Sequence, residues 1–523
     1  MYKYISISAL SLLLVSFLKK ETSFTFNTVE HHLVASRHSI DSTLLAPFSN
    51  SELTSFYRIN DFKTVWNSSG HRKLVSTILS KADEEGLNPE DYQGATLSEI
   101  ESRFANLNDS ELVNYDILMT LSVQKYISRL NSGKLNPKTL YDDWDLKLPS
   151  FDINKNLTEA IKGDSLNNIF ENIKPKHLVY RRLKAALSIL NSLPKDTLNE
   201  IVFANKLKLN TSDIGVPNLK KRLMYWKDLK PRDSLTKIYD EETFKAVKKF
   251  QKRHGLASDG VIGKATILAL NTTKEERKKQ IIANLERWRW YPKNLSSQYL
   301  IVNIPDFKLH AICFNDTVRT HNVIVGTSKR KTPILNSKLS YAVFNPTWTV
   351  PPTILKEDII PETIKNRSYL RKKNIKIYDY SNNEISIWKW NPDKAMNYKY
   401  VQSPGTYNSL GMVKILFPND FTVYLHDTNH RELFGKTDRS LSSGCVRVQN
   451  PMELTEYLLD DGKNWNLEKI TETLKSEKTQ SVKFKSDIYI YQFYWTAWSD
   501  KNTLQFRPDI YDLDNELYCL LRN

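Results

Sequence analysis

One stretch of the chain decides how the rest is interpreted: residues 423–451, which read VYLHDTNHRELFGKTDRSLSSGCVRVQNP. His426 ends a short apolar run typical of a strand, and Cys445 follows in a polar Ser-Ser-Gly-Cys-Val-Arg segment. The 523-residue chain has only three cysteines. Because Cys313 and Cys519 lie in apolar segments that favour buried thiols, Cys445 is the cysteine that needs a chemical explanation.

A nucleophilic cysteine needs a base or a lowered pKa, room for a substrate, and donors for an oxyanion. His426 is a candidate general base because it stands at the end of a predicted strand. Gly444 removes the side chain beside Cys445, so the backbone can approach a substrate closely, and we expect its backbone to contact the oxyanion. Arg447 lies two residues after Cys445 and therefore points to the same face of a strand. Its guanidinium can stabilise a thiolate or hold a carboxylate.

Other uses of these residues fit the pattern less well. A zinc site could draw on His426, His430 and Cys445, but no second cysteine pair is present and Arg447 would place a cation against the metal. We therefore expect no metal and no cofactor. A papain-like protease has its cysteine before its histidine, and the order here is reversed. A strand histidine with only a structural role is the alternative for His426 taken alone.

The first residues have the pattern of an export signal. A basic start is followed by the apolar residues 5–18 and then by Lys19-Lys20. This run has signal-peptide length and is shorter than a membrane span, which needs about 20 residues. We expect residues 1–20 to be a signal peptide or, if uncleaved, an N-terminal membrane anchor, and the protein to be periplasmic.

The net charge of +16 is compatible with an anionic partner. Zinc-finger spacing, an aromatic RNA-binding strand and a localised basic tail are all missing from the sequence, so we do not expect nucleic acid as the partner. An anionic polymer such as the cell wall fits both the charge and the predicted export.

Length and periodicity predict an α+β protein of several domains. We expect a helical scaffold domain at 45–215, a small helical domain at 216–273, and a mostly β, sandwich- or barrel-like domain at 284–480 that carries Cys445. Residues 356–397 interrupt the strands of that domain and exceed an ordinary connection of about 2–6 residues, which predicts a lid. Residues 481–523 are expected to add C-terminal strands and a helix that pack on this domain.

Part of the small helical domain resembles the peptidoglycan-binding-domain family. The matching positions are Ala246-Val247, Phe250-Gln251, Gly255-Leu256, Asp259-Gly260, Gly263, Thr266 and Leu270-Asn271. The resemblance implies a small helical bundle and binding to the cell wall. The same residues also hold such a bundle together, and a fold does not by itself fix a function.

The segment around Cys445 resembles the L,D-transpeptidases with a YkuD-type catalytic domain. Their pattern of a histidine followed by Ser/Thr-His-Gly-Cys and a hydrophobic-Arg pair is matched here by His426 and residues 442–447, with Ser443 standing where most members have histidine. Further segments resemble the large periplasmic YcbB-type branch of that family: residues 284–290, 302–305, 348–351, 402–405, 408–411 and 417–419.

The resemblance implies peptidoglycan crosslinking. The Cys445 thiolate would attack the third residue of a tetrapeptide donor stem, and the diamino-acid side chain of an acceptor stem would take the thioester to form a 3–3 crosslink. His426 would be the general base and acid, with Gly444, Arg447 and Ser443 in support. Acylation by a carbapenem-type β-lactam is implied as well. We assign substrate contacts to five residues: Trp348, Tyr424, Asn408, Gly411 and Ser442.

Two alternatives stay open from the sequence. With water as the acceptor, the same residues would make an L,D-carboxypeptidase, because an acceptor amine leaves no motif. A non-catalytic wall-binding scaffold with a decayed catalytic domain is the other alternative. The intact set of His426, Gly444, Cys445 and Arg447 argues against such decay.

Overall fold

The computed structural model of the chain describes residues 39–48, 51–203, 207–460 and 464–523. The predicted export signal at residues 1–20 lies outside these ranges. Of the helices within them, none is both long and apolar enough to cross a membrane.

The described chain forms two compact units, the first within Met1–Lys134 and Pro149–Lys174 and the second within Leu135–Leu148 and Pro175–Asn523. The first unit is helical, and its helices are α1 (Ser42–Leu45), α2 (Ser51–Ile59), α3 (Ser69–Ser80), α4 (Gly94–Ser102), α5 (Asp109–Ser132), α6 (Ile153–Lys162) and α7 (Leu166–Asn172). A buried carboxylate, Asp116 of α5, accepts hydrogen bonds from the Tyr57 hydroxyl and from the backbone N–H groups of Val65 and Trp66. These bonds satisfy the buried group and fix α5 to the segment that follows α2.

The second unit begins with a helical part. Its helices are α8 (Leu178–Asn191), α9 (Val216–Tyr225), α10 (Glu241–Arg253), α11 (Lys264–Asn271) and α12 (Lys274–Trp290). Helix α10 begins after Asp240, whose side chain accepts a 2.9 Å hydrogen bond from the Thr243 N–H, as is usual for an N-cap aspartate.

Residues that carry the resemblance to peptidoglycan-binding domains hold this helical part together. Gln251 donates to the Val261 carbonyl at 3.0 Å and accepts from the Gly260 N–H at 2.8 Å. Gly260 has φ +75°, and a Cβ there would lie 2.2 Å from the Phe244 ring, so only glycine fits this turn. The pattern therefore has a structural cause that is independent of any ligand.

The rest of the second unit is mostly β. Its strands are β1 (Trp144–Asp145), β2 (Gln298–Asn303), β3 (Lys308–Cys313), β4 (Asp316–Gly326), β5 (Ile334–Lys338), β6 (Tyr341–Phe344), β7 (Trp348–Thr349), β8 (Ile375–Tyr378), β9 (Glu384–Ile385), β10 (Lys399–Gln402), β11 (Val413–Leu416), β12 (Leu425–His426), β13 (Ser440–Ser442), β14 (Val446–Val448), β15 (Gln480–Lys483), β16 (Tyr489–Phe493), β17 (Ala497–Asp500) and β18 (Thr503–Phe506). The predicted α+β organisation, helical at first and mostly β afterwards, is confirmed.

The large sheet has 12 strands in the order β1-β5-β16-β2-β3-β4-β14-β12-β11-β6-β15, with β13 paired to β4. The order places β14, β12 and β11 side by side. Cys445 directly precedes β14, His426 ends β12, and β11 is the neighbour of β12 on its other side. Strands β17 and β18 form a separate hairpin.

The predicted lid is a small folded subdomain with its own hydrophobic core. Strands β7, β10, β8 and β9 form its sheet, and its helical segments are α13 (Pro352–Ile354), a π-helical turn (Leu355–Ile359), α14 (Ile360–Lys365) and α15 (Tyr369–Lys372). In its core, Trp390 donates a 2.6 Å hydrogen bond to the Tyr400 hydroxyl, whereas Trp388 is 80% exposed. The subdomain extends beyond residues 356–397 on both sides, because β7 and β10 pair with each other.

The second half of α12, residues 281–290, is buried on all sides, and C-terminal segments pack around it. The remaining helices of the unit are α16 (Pro451–Leu459), α17 (Leu467–Lys475) and α18 (Asp514–Arg522). Arg287 of α12 forms a 3.0 Å ion pair with Asp514 of α18, and Asn284 donates to Thr496 at 2.8 Å. These two contacts tie the C-terminal segment to α12.

Candidate active site

Strand register brings the candidate residues onto one face of the sheet. Lys414 of β11 pairs with His426 of β12, which in turn pairs with Arg447 of β14. Directly paired residues project on the same side of a sheet. Tyr424 and Cys445 lie two positions before His426 and Arg447, so they project on that side too.

Tyr424 connects the nucleophile, the histidine and the lid subdomain. Its hydroxyl donates to the Cys445 sulfur and accepts from the Trp348 indole. Its ring contacts the His426 imidazole edge to face at a centroid distance of 5.6 Å. Trp348 belongs to β7, the first strand of the subdomain. Both residues are expected to contact substrate: Tyr424 lies next to Cys445, and Trp348 lies next to Tyr424.

The Cys445 thiol is protonated at neutral pH in this structure. Burial raises the pKa of the thiol to about 11, and hydrogen bonds from Tyr424 and the positive charge of Arg447 oppose this rise only in part. A preformed thiolate is therefore not the resting state, and the proton has to be removed during the reaction.

The His426 imidazole is neutral. Burial, together with the positive charges of Arg447 and Lys414, lowers its pKa to about 3. A neutral imidazole is the form that can accept a proton. The resting pair is thus a thiol and a free base, and not a thiolate–imidazolium ion pair.

The loop before Cys445 is held in shape by internal hydrogen bonds. Ser442 Oγ donates to the Cys445 carbonyl at 2.6 Å and accepts from the Gly444 N–H at 3.2 Å. Thr332 Oγ1 donates to the Gly444 carbonyl at 2.8 Å. Gly444 has φ +109°, and a Cβ there would lie 3.2 Å from the Lys331 carbonyl oxygen. Gly444 is thus required by the backbone, and its N–H, a predicted oxyanion donor, is already engaged by Ser442.

Three residues predicted to contact substrate are buried and support the local backbone. Ser442 is buried within the loop described above. Asn408 is buried and donates to the carbonyls of Pro346 and Ser403 at 3.0 and 2.9 Å. Gly411 has φ +61° and lets the Asp427 carboxylate approach, since a Cβ at Gly411 would lie 2.4 Å from it. Their contact with substrate stays a prediction, and in this structure their polar groups are engaged by the local backbone.

Asp427, next to His426, is a buried acid that the sequence analysis did not single out. Its carboxylate accepts from the Met412 N–H at 3.0 Å and pairs with Arg431 at 2.7 Å. It therefore anchors the backbone on both sides of the histidine.

Ser443, at the position of the family's second histidine, is exposed and points to a different partner. Its hydroxyl accepts a 2.8 Å hydrogen bond from Arg330 Nη1. Arg330 also pairs with Glu357 at 2.6 Å and with Asp358 at 2.7 Å, both in the π-helical turn of the lid subdomain. One guanidinium thus joins the nucleophile loop to the lid.

The described residues hold no group of His, Cys, Asp and Glu side chains arranged for a metal ion. His430, considered above as a third zinc ligand, is exposed and lies 3.1 Å from Glu432.

Comparisons with known proteins match each part of the chain. Family models match a "Scaffold domain" at residues 51–187, a "Putative peptidoglycan binding domain" at 212–270, and the YkuD "L,D-transpeptidase catalytic domain" at 297–471. A Haemophilus influenzae protein described as "Putative L,D-transpeptidase" is 34% identical over 270 residues, which cover 50% of this chain and 54% of that protein. The match thus spans about half the length of this relative.

Solved L,D-transpeptidase structures are also similar. One from Xylanimonas cellulosilytica is 14% identical and covers 56% of this chain and 100% of its own, with a TM-score of 0.19. One from Stackebrandtia nassauensis is 12% identical and covers 57% of this chain and 97% of its own, with a TM-score of 0.21. TM-scores this low add no argument. The family models and the relative confirm both resemblances: residues 297–471 match the L,D-transpeptidase catalytic domain, and residues 212–270 match the putative peptidoglycan-binding domain.

Proposed function

We propose that this protein is a peptidoglycan L,D-transpeptidase that forms 3–3 crosslinks through a thioester on Cys445. The observation that carries the proposal is the shared face of Tyr424, His426, Cys445 and Arg447 within the matched catalytic domain. A nucleophile, a neutral base and two groups that favour a thiolate are the parts that acyl transfer by cysteine requires.

The first half of the reaction forms the acyl-enzyme. His426 takes the thiol proton as the Cys445 sulfur attacks the carbonyl carbon of the donor's third residue. The C–N bond to the fourth residue breaks, and the imidazolium gives its proton to the departing amine. The Tyr424 hydroxyl and the Arg447 charge stabilise the sulfur as negative charge develops on it.

The second half transfers the acyl group. The side-chain amine of an acceptor stem attacks the thioester carbonyl, and His426 takes a proton from that amine. The C–S bond breaks, and the proton returns to the sulfur. With water in place of the amine, the same steps release a tripeptide, which is the L,D-carboxypeptidase alternative.

The matched domains also bear on where the protein works. A peptidoglycan-binding domain beside a transpeptidase domain supports work in the cell envelope. We propose that the peptidoglycan-binding domain holds the wall, that stem peptides are both donor and acceptor, and that the protein is exported to the periplasm. We expect the same nucleophile to be acylated by a carbapenem-type β-lactam. This step needs only the Cys445 thiol and the base, because the attack on the lactam carbonyl breaks the C–N bond of the ring.

The test is incubation of the full chain with purified disaccharide-tetrapeptides, with the products identified by mass. Crosslinked dimers are expected; tripeptides alone would establish the carboxypeptidase, and unchanged substrate would support the non-catalytic scaffold. Cys445→Ser should abolish the thioester adduct, and His426→Ala should slow its formation by about 10²–10⁴-fold. Cys519→Ala is the matched control, because Cys519 is an exposed cysteine outside the site.

A further inference from the structure

Two cations flank His426 on the catalytic face. Lys414 and Arg447 occupy the positions directly beside it on the two neighbouring strands. The Lys414 ammonium lies 5.8 Å from the centre of the Tyr424 ring, and the Tyr424 hydroxyl donates to Cys445. Arg447 therefore acts on Cys445 by its charge, and Lys414 lies beside the Tyr424 ring.

Neither cation has a counter-ion, in contrast to three buried arginines of the unit. Arg253, Arg287 and Arg289 are each paired with a carboxylate, at 2.5, 3.0 and 3.0 Å. Among the residues that the structure describes, no carboxylate lies within ion-pair distance of half-buried Lys414 or Arg447. In addition, Arg447 Nε is buried without a hydrogen-bond partner.

The nearby acids do not neutralise this pair. Asp427 is buried, but its carboxylate is taken by Arg431 and by a backbone N–H. Glu432 acts on Arg447 only at a distance and lies 3.1 Å from His430. Burial lowers the pKa of both Lys414 and Arg447, as expected for cations held in a partly dry place without an anion. Such an arrangement costs stability unless a ligand supplies the negative charge.

We propose that Lys414 and Arg447 form a carboxylate-binding subsite that recognises the donor stem. The inference rests on the proposed function. In a tetrapeptide donor, the free carboxylate of the fourth residue is one residue, about 3.8 Å of chain, beyond the carbonyl that Cys445 attacks. Both cations can reach that distance from the positions they hold, and a charge-assisted pair of bonds would orient the scissile amide over the sulfur.

A second carboxylate of the same chemistry exists when the third residue is a diamino acid with a side-chain carboxylate. Lys414 and Arg447 would bind either group in the same way. The two sources differ in one respect: the first leaves with the fourth residue, and the second stays on the acyl-enzyme. Donors that lack one carboxylate or the other separate them.

The experiment measures equilibrium binding by calorimetry to the Cys445→Ser enzyme, which does not turn over. The probes are a tetrapeptide stem, its C-terminal amide, and a stem whose third residue is lysine. We expect the amide to bind about tenfold or more weakly than the acid, and Lys414→Gln to remove this difference by weakening only the acid. If the lysine-containing stem binds as well as the parent stem, the subsite binds the terminal carboxylate. If only the lysine-containing stem binds more weakly, the subsite binds the side-chain carboxylate.

Lys483→Gln is the matched control, because Lys483 is exposed on β15 at the far edge of the same sheet. The proposal is overturned if Lys414→Gln changes the affinity of none of the three probes, or weakens all three equally. Failure of the proposed function would look different: the stem would bind with its carboxylate preference, but the wild-type enzyme would show no acyl adduct by mass.

Discussion

Arg330 donates a 2.8 Å hydrogen bond to the hydroxyl of Ser443, two residues before the nucleophile. The same guanidinium engages Glu357 and Asp358 in the π-helical turn of the lid subdomain. The nucleophile loop and the lid therefore share one cation, although residues 330, 357 and 443 are far apart in sequence. The contact at this point is made by charged and polar groups.

Loss of that cation should release the lid. In Arg330→Gln both ion pairs are removed, so we expect amide hydrogen exchange in the π-helical turn Leu355–Ile359 to accelerate several-fold, which corresponds to about 1 kcal/mol for a bidentate, partly exposed pair. Lys376→Gln is the control, because it breaks the exposed 2.9 Å Lys376–Glu384 pair within the same subdomain. Equal exchange in wild type and Arg330→Gln would show that the pairs do not hold the lid.

The Cys445 thiol should alkylate with the pH profile of a raised pKa. With a pKa of about 11, about 10⁻⁴ of the thiol is ionised at pH 7, and the rate with iodoacetamide should rise about tenfold per pH unit between pH 7 and 9. Mass spectrometry of the labelled peptides gives this profile. A rate that is flat above pH 7 would mean that the resting enzyme already holds a thiolate.

Tyr424→Phe should raise the pKa of the thiol further. The lost hydroxyl donates to the Cys445 sulfur and stabilises its ionised form. Alkylation at a fixed pH between 7 and 9 should therefore slow, while the ring contact with His426 is kept. A faster reaction would indicate that the hydroxyl shields the sulfur instead of activating it.

Gly444→Ala should destabilise the fold by about 1–3 kcal/mol, because φ +109° is strained for any residue with a Cβ. The new methyl group also meets the Lys331 carbonyl oxygen at 3.2 Å. Denaturant unfolding measures the cost. Gly435→Ala is the matched control, since a Cβ there has no atom within 4 Å, and similar losses in both variants would contradict the steric argument.

His177 should make the protein sensitive to acid. Its Nδ1 accepts a 3.1 Å hydrogen bond from the Val179 N–H at the start of α8, and burial lowers its pKa to about 4. Protonation removes this acceptor. The folded state therefore takes up the proton only at a lower pH than the unfolded state, whose histidine has a pKa of about 6.5. Stability is then lost as the pH falls from about 6.5 to about 4, by up to about 3 kcal/mol.

The comparison is with His177→Asn, since asparagine is a good N-cap that does not titrate in this range. The difference in melting temperature between the two proteins should shift in favour of the variant as the pH falls. A constant difference from pH 7 to pH 4 would show that His177 titrates normally.

The nucleophile and base could be predicted because their signal is local: His426 ends an apolar strand, and Cys445 stands in a polar, glycine-containing segment. Lys414 and Arg330 could not, because only strand register places one beside His426 and only a long-range contact places the other beside Ser443. Asn408 and Gly411 were assigned to substrate because polar and glycine residues near a site resemble ligands. Their burial, which makes them supports of the backbone, has no local signature in the sequence.

The peptidoglycan-binding part is joined to the C-terminal hairpin through a buried arginine. Arg253 at the end of α10 forms a two-point pair with Asp228, as short as 2.5 Å, and donates to the Leu504 carbonyl of β18 at 3.3 Å. The Arg507 guanidinium donates back to the Arg253 carbonyl at 3.2 Å. If the wall is bound on one side of this junction and crosslinked on the other, no flexible tether sets the effective concentration of stems at Cys445. The distance between the peptidoglycan-binding part and Cys445 is then fixed by the fold. Only stems that lie at a matching distance along the wall from the bound site can reach Cys445.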